Sequence, residues 1–185
     1  MESIAVDASK HCSWYSSIKF IVQKINTSLN IHVDNITNKF LVEFFIKEWK
    51  QSLDKHSDGR LCTYVSFKTN FGIEKYFSIV KNFNHRSALT RFRISAHILA
   101  IDTGRYKGIP RHDRLCTRCS ENVEDELHFL FSCEGLKCQR DILISLIKEK
   151  CKNFVSLSSE AKLIWLLNNE DRDILNALCT YIKNI

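Results

Sequence analysis

Three cysteines and one histidine lie close together in residues 115–133, which read LCTRCSENVEDELHFLFSC. From Cys116 through Cys119 and His128 to Cys133 the spacing is C-x2-C-x8-H-x4-C. A C-x2-C pair places two thiolates on one tight turn, and a later His and Cys can complete a tetrahedron around one metal ion. Four protein ligands leave no coordination position open for catalysis. The spacing therefore predicts a structural Zn2+ site that organises the chain around it.

A second interpretation of this segment needs no metal. Buried free cysteines are common in protein cores, and a single histidine often has a hydrogen-bond partner there. The metal hypothesis also carries a geometric difficulty, because five residues of regular α-helix place His128 and Cys133 roughly 140° apart. Both side chains can face one ion only if the helix ends near Phe131 and the chain turns back, for which Gly135 is suitably placed. The acidic residues 124–126 suit the first turn of that helix.

The rest of the chain has a pattern typical of helices. It holds one proline and five glycines in 185 residues, so few positions interrupt helices. Apolar residues recur at helical spacing in several segments, some with capping residues at their ends. The predicted helices cover residues 14–25, 41–49, 63–71, 73–80, 87–101, 141–151, 159–167 and 171–183. The sequence thus predicts a mainly α fold: a helical domain with a small CCHC zinc-binding subdomain.

The predicted central helix, residues 87–101, has two distinct faces. One stripe of side chains has the spacing of a buried face, namely Leu89, Phe92, Ala96 and Leu99. A second stripe is largely basic and consists of Arg86, Thr90, Arg93 and His97. The following TGRYKGIPRHDR contains two glycines and the proline, so we predict a loop from residue 103 onward.

Three segments follow from these patterns: an N-terminal helical segment (1–57), a basic helix with the zinc knuckle (58–140) and C-terminal helices (141–185). No apolar run approaches the roughly 20 residues needed to cross a bilayer, so we expect no membrane association. The N-terminus lacks the apolar region of a secretory signal, and we expect an intracellular protein, nuclear or cytoplasmic. In a reducing compartment, clustered cysteines favour metal binding over disulfides.

The formal net charge of +6 is unevenly distributed. Residues 86–118 carry eight basic and two acidic side chains, whereas residues 119–134 carry five acidic and no basic ones. Arginine is well suited to gripping phosphate, and an aromatic ring such as Tyr106 can stack on an unpaired base. The predicted nucleic-acid-binding residues are Arg86, Arg91, Arg93, Arg105, Tyr106, Lys107, Arg111, Arg114 and Arg118.

An alternative assigns these arginines no ligand. Arg86 and Arg93 would then solvate an exposed helix face. Arg114 and Arg118 would pair with acidic neighbours, for which Glu121, Glu124 and Asp125 are the candidates. Isolated surface charges often have no other role.

Residues 86–133 resemble the cysteine-rich segment downstream of the reverse transcriptase domain in LINE-type (non-LTR) retrotransposon polyproteins. The matching features are LTRFR at 89–93, His97, DTGRY at 102–106, Arg114 before the first cysteine, and VEDELHFLFSC at 123–133. Residues 58–77 resemble the preceding segment. The resemblance implies that Cys116, Cys119, His128 and Cys133 form a zinc knuckle that helps a polymerase engage RNA template or target DNA. The chain departs from the family at EGLKCQR, residues 134–140, where the family has a proline and a tyrosine before an arginine.

Signatures of catalysis are missing from the sequence. It lacks the paired aspartates that hold two cations in a polymerase, a phosphate-binding loop, H-E-x-x-H and G-x-S-x-G. We therefore predict a zinc-binding, nucleic-acid-binding module without enzymatic activity. Its partner would be RNA or DNA bound through phosphates, with a reverse transcriptase in trans as a further candidate.

The sequence is compatible with two other functions. The chain could be a zinc-stapled helical module for protein–protein interaction, in which Phe44, Phe45 and Trp49 supply an apolar docking face. It could also be a translated relic without present function.

Overall fold

The computed structural model describes Gln23, residues 38–55 and residues 61–183. The described residues fall into two compact units with a boundary between Trp49 and Lys50. The described parts of the predicted 58–140 and 141–185 segments both lie in the second unit. The helix predicted at residues 14–25 lies outside the described residues, apart from Gln23.

The described residues are mainly α-helical, as predicted, and contain no β-strand. The α-helices are α1 (Asn38–Asp54), α2 (Cys62–Phe67), α3 (Tyr76–Ile79), α4 (Phe83–Arg93), α5 (Ala100–Tyr106), α6 (Lys137–Lys150), α7 (Ser159–Leu167) and α8 (Arg172–Ile182). A π-helical turn covers His128–Ser132, and 3-10 turns cover Arg111–Asp113, Glu134–Leu136 and Lys152–Ser156. Among the described helices, none has the length and apolarity to cross a membrane.

Side-chain caps define where the last two helices begin. The Ser158 hydroxyl accepts a hydrogen bond from the Ala161 N–H at 3.2 Å, and α7 covers the residues predicted for it. The Asp171 carboxylate accepts the N–H groups of Asp173 and Ile174 at 2.9 and 3.1 Å. Each cap satisfies backbone donors that the first helical turn leaves unpaired, so both helices begin where the sequence predicts.

The core of the second unit is centred on α8, which packs against α4 and α6. The apolar residues predicted to be buried on α8 are all at most 3% exposed, namely Ile174, Leu175, Leu178 and Ile182. The π-helical turn joins this core through Phe129, whose ring centroid lies 5.1 Å from that of Tyr181 and 5.9 Å from that of Phe92. The cysteine-rich segment is therefore seated on the main core of its unit.

The predicted central helix over residues 87–101 is wrong in extent, because the chain forms two helices there. α4 ends at Arg93, and Ser95 adopts φ +50°, a left-handed conformation that a right-handed helix cannot contain. The buried stripe is confirmed for Leu89, Phe92 and Leu99, which are at most 1% exposed. These side chains reach one core from two helices.

The loop predicted from residue 103 is also wrong at its start, since α5 continues through Gly104 to Tyr106. The Arg114 side chain lies directly against Gly104, where an added Cβ would come within 2.7 Å of the Arg114 Cγ atom. The sequence pattern treats glycine as a helix terminator. Here its missing side chain makes room for an arginine instead.

Candidate metal centre

The four predicted ligands lie together in the structure. The candidate donor atoms of Cys116, Cys119, His128 and Cys133 are all within 4.8 Å of one another. The sulfurs of Cys116 and Cys133 are 3.7 Å apart, and the Cys119 Sγ lies 3.3 Å from the His128 Nε2. Three of these side chains are buried and Cys119 is half-buried. A cluster of this kind could bind a metal ion.

A tight turn brings the first two cysteines together. The Ser120 N–H donates to the Cys116 carbonyl oxygen at 2.8 Å, and Ser120 has φ +59°. The Cys116 N–H in turn donates to the Asn122 carbonyl oxygen at 2.8 Å, next to an isolated antiparallel bridge between Leu115 and Val123. These backbone bonds fold the chain back on itself, so the two thiols face the same side.

The π-helical turn His128–Ser132 resolves the difficulty with the spacing of the other two ligands. The Cys133 N–H donates to the His128 carbonyl oxygen at 2.8 Å, an i→i+5 bond. A helical turn that is one residue wider than an α-turn brings residues five apart toward the same side. The helical segment ends at Ser132, one residue beyond the predicted end, and Cys133 is extended. Asp125 lies just before this helical segment and caps it, because its Oδ1 accepts the His128 N–H at 2.9 Å.

Gly135 lies where the chain returns past the first cysteine turn. A Cβ atom on Gly135 would be 2.9 Å from the Cβ of Arg118 and 3.4 Å from its carbonyl oxygen. Arg118 stands between Cys116 and Cys119, so the absence of a side chain at Gly135 lets the two halves of the cluster meet. Buried Arg140 stabilises the same reversal of the chain, because its Nη1 donates to the Cys133 carbonyl oxygen at 2.5 Å.

Glu124 links the cluster to α5, a role that the sequence did not predict. Its carboxylate is buried, and Oε2 accepts the Ala100 N–H at the first residue of α5, at 2.8 Å. Its Oε1 accepts from the Arg118 Nη1 at 2.6 Å and lies 3.5 Å from the Cys116 Sγ. We expected Glu124 in the first turn of the helix that carries His128. It instead lies at the positive end of a different helix.

The cysteine thiols of the cluster differ in acidity. Burial raises the pKa of Cys116 to about 11. A hydrogen bond from the Glu121 backbone N–H lowers the pKa of Cys119. Since thiolates are the ligands, metal binding at this cluster would release the proton of the Cys116 thiol.

A second polar cluster surrounds buried Glu126. Its Oε1 accepts from the hydroxyls of Ser95 at 2.7 Å and Thr63 at 3.2 Å, and lies 3.1 Å from the His97 Nε2. Burial by itself raises the pKa of Glu126, but the bonds from His97 and Ser95 outweigh burial and lower it to about 2. His97 is therefore a buried partner of a carboxylate, and its place in an exposed basic stripe was wrongly predicted.

Arg93 is buried as well, so the predicted basic face does not form around it. Its Nη2 lies 2.6 Å from the Glu74 Oε2, and its Nη1 donates to the Leu167 carbonyl oxygen. The guanidinium carbon lies 4.3 Å from the ring centroid of Phe67 and 4.9 Å from that of Tyr76. With its side chain 3% exposed, Arg93 is removed from any surface contact with a nucleic acid. The structure therefore contradicts both the prediction that Arg93 contacts a nucleic acid and the alternative that Arg93 is exposed and solvated.

Three other arginines bind their own chain. Arg86 donates to the Val80 carbonyl oxygen at 3.1 Å. Arg114 donates from Nε to the Ile109 carbonyl oxygen at 2.8 Å and from Nη1 to that of Ile101 at 2.9 Å. Arg118 pairs with Glu124 as the alternative interpretation proposed, and its guanidinium carbon lies 5.9 Å from the Phe129 ring centroid.

The remaining predicted contact residues are more accessible. Arg91, Tyr106, Lys107 and Arg111 are exposed, and the Arg105 side chain is 36% exposed. Arg105 lies 3.4 Å from Asp102, and Arg111 lies 3.1 Å from Asp125. Arg105, Arg111 and Arg114 line one cavity of about 510 Å³. The basic residues thus converge in part, around the carboxyl end of α5.

The apolar face predicted for protein–protein interaction is only partly exposed on α1. Phe44 is 8% exposed, whereas Phe45 is 38% exposed and Trp49 is half-buried. Phe44 and Phe45 meet edge to face with ring centroids 5.9 Å apart. A docking face on α1 would therefore depend on Phe45 more than on Phe44.

Comparisons with known proteins give no match, so the function has to be inferred from the geometry of the cluster. No protein-family model, curated protein or solved structure matches this chain. The donor set is three thiols and one imidazole, which suits soft or borderline metal ions rather than calcium or magnesium. The residues present therefore fit a transition-metal ion with four protein ligands.

Proposed function

We propose that this chain is a zinc-binding, nucleic-acid-binding module without polymerase activity of its own, and that its ion is structural Zn2+. The observation that carries the proposal is the gathering of three cysteine sulfurs and one histidine nitrogen within 4.8 Å of one another. Three cysteines and one histidine are a common donor set of structural zinc sites. The resemblance to the segment downstream of the reverse transcriptase in LINE-type polyproteins supports the same conclusion.

The cluster has a structural connection to the basic segment. Cys116 and Cys119 would hold the ion from one turn, and His128 and Cys133 from the other. Between the first pair, Arg118 binds Glu124, and Glu124 binds the first N–H of α5. The accessible cations follow at the carboxyl end of α5. Ligation at the cluster would therefore stabilise the helix that presents these cations.

The accessible cations are the proposed contacts to phosphate. Arg111 is 67% exposed, and its pair with Asp125 lies partly in water. Exposed ion pairs contribute at most about 1 kcal/mol, so a phosphate can replace the carboxylate partner. Tyr106 is 69% exposed beside exposed Lys107. Phosphate neutralisation would give binding to RNA or DNA that weakens steeply with salt. A reverse transcriptase in trans would be a natural protein partner.

Metal content tests the first half of the proposal. Mass spectrometry of the full chain should find one zinc ion per molecule, and a Cys119→Ser variant should lose most of it. Cys138→Ser is the matched control, because Cys138 is exposed and lies outside the four-residue cluster. Unchanged zinc stoichiometry in the Cys119→Ser variant would contradict the site.

A salt titration tests the second half. Binding of the full chain to a short RNA or DNA should weaken linearly on a logarithmic salt scale. Arg111→Gln and Lys107→Gln should each reduce the slope by about 1. Arg172→Gln removes the same charge at another exposed position and should change the slope less. Affinity that does not respond to salt would refute phosphate binding.

A further inference from the structure

The cavity of about 510 Å³ in the second unit is lined by apolar and by charged side chains. Helix α5 contributes Ile101 and Arg105, and the segment after it contributes Arg111 and Arg114. Helix α7 contributes Leu163 and Ile164. Apolar side chains and guanidinium groups therefore meet in one concave space. Its volume falls within the range of sites that bind small organic groups.

The three arginines of this cavity differ in how far the chain neutralises their charge. Arg114 binds two carbonyl oxygens, which are neutral and do not cancel its charge. Arg105 pairs with Asp102 at 3.4 Å and Arg111 pairs with Asp125 at 3.1 Å, and in both pairs the arginine is the more exposed partner. Three carboxylates also line the cavity, namely Asp125, Glu126 and Glu160.

Two of those carboxylates already have partners. Glu126 accepts bonds from Ser95 and Thr63 and meets His97, and Asp125 pairs with Arg111. Glu160 lines the same cavity from α7. An anion would therefore bind beside Arg114, whose hydrogen-bond partners are neutral carbonyl oxygens.

A nucleotide matches these walls better than a bare phosphate does. A flat, weakly polar base packs on apolar side chains and guanidinium planes, while its phosphate pairs with cations. Bases in a duplex are stacked and paired, and extruding one costs a few kcal/mol. A cavity of this kind would therefore distinguish single strands from duplexes.

We propose that this cavity binds one unpaired nucleotide of a single-stranded RNA or DNA. The base packs on half-buried Ile164, beside the more buried Ile101 and Leu163. The adjoining phosphate lies at Arg114, with Arg105 and Arg111 next to it. The inference rests on the proposed nucleic-acid binding and adds a strand preference to it. Phosphate contacts alone would not require that preference.

The test fills the cavity without changing its charge. Ser66 lines the cavity, is exposed on α2 and donates to the carbonyl oxygen of Thr63 at 2.7 Å. Ser78 is the matched control, because it is exposed, donates to the Lys75 carbonyl oxygen at 2.8 Å and lies outside the cavity. Fluorescence anisotropy would compare Ser66→Phe and Ser78→Phe in the full, zinc-loaded chain, using a labelled single strand and the duplex of the same sequence.

The unaltered chain should bind the single strand about tenfold more tightly than the duplex, as expected for one stacked base. Ser66→Phe should remove that advantage, and Ser78→Phe should keep it. Arg105→Gln provides a second variant in case Ser66→Phe fails to fold, and should weaken single-strand binding more than duplex binding. A free nucleoside monophosphate that competes with the strand would support the same site.

Two contrary results have different meanings. Equal, salt-sensitive affinity for the single strand and the duplex would overturn the cavity inference and leave the proposed function standing. A single-strand preference that survives Ser66→Phe would also overturn it. Absence of binding to either probe would refute the proposed function itself.

Discussion

The backbone N–H of Cys133 donates a hydrogen bond to the carbonyl oxygen of His128, five residues earlier, at 2.8 Å. On a regular α-helix these residues would be roughly 140° apart. The wider π-helical turn reduces that separation, and the donor atoms of both side chains join the same cluster. Such turns are frequent at functional sites. The x4 spacing between histidine and cysteine is therefore compatible with one ion.

Removal of the metal should destabilise the second unit. A ligand that binds only the folded state at 100 to 1,000 times its dissociation constant stabilises that state by about 3–4 kcal/mol. We therefore expect a chelator to lower the Tm of the zinc-loaded chain by about 10 °C, measured by scanning fluorimetry. The Cys133→Ser variant should show little further change with chelator. Equal Tm values of the original chain with and without chelator would contradict a structural metal.

Gly135→Ala should disturb the cluster through packing alone. The new methyl group would meet the Cβ of Arg118 at 2.9 Å, so the turn between Cys116 and Cys119 must shift. Overpacking of this kind costs about 1–3 kcal/mol of unfolding free energy. Chemical denaturation and a competition assay for zinc should both report the loss. Ser132→Ala, at an exposed position nearby, should change neither, and an unaffected Gly135→Ala variant would mean that the close approach is absent.

Arg93→Met should reduce stability, whereas Arg91→Met should not. Arg93 is buried beside Glu74, and removal of one partner from a buried charge pair costs about 3 kcal/mol. Arg91 is exposed on the same helix, so its replacement should change the free energy of unfolding by less than about 0.5 kcal/mol. Urea denaturation of both variants tests this. The same stability for both would show that Arg93 is not a core residue.

The folded forms of the Arg93→Met and Arg91→Met variants should also differ in nucleic-acid binding. Arg93→Met should retain the affinity of the original chain, because the buried guanidinium makes no surface contact. Arg91→Met should weaken binding and lower the salt slope. Anisotropy with a short RNA measures both. Selective loss of affinity in Arg93→Met at full folding would contradict the structural role of Arg93.

Glu124→Gln should loosen the connection between the cluster and α5. The substitution keeps the shape of the side chain but removes the charge that meets Arg118 and the amino end of α5. Loss of a buried, charge-assisted hydrogen bond costs about 1–3 kcal/mol. Hydrogen exchange should show faster exchange in the amides of residues 100–103. Glu121→Gln, at an exposed position in the same acidic run, is the control. Equal protection in both variants would rule out the connection.

Much of this protein follows from short-range chemistry that the sequence determines by itself. The four donor residues are predicted from their spacing, because a C-x2-C turn and a nearby helical pair need only local backbone geometry. α7 and α8 begin as predicted because Ser158 and Asp171 cap them within three residues. The mainly α fold follows from apolar periodicity and from the low number of glycines and prolines.

The tertiary structure alone decided what the basic residues do. Arg93 has Glu74 and Leu167 as partners, which are 19 and 74 residues away, and no helical pattern could anticipate their approach. Glu126 draws Ser95 and His97 into the interior, in a region where the sequence predicted one unbroken helix. Charged residues pair with groups that folding brings close in space, and burial determines whether a charge faces a ligand or another part of the chain. The sequence therefore located the donor residues, whereas long-range packing decided which cations remain available to a nucleic acid.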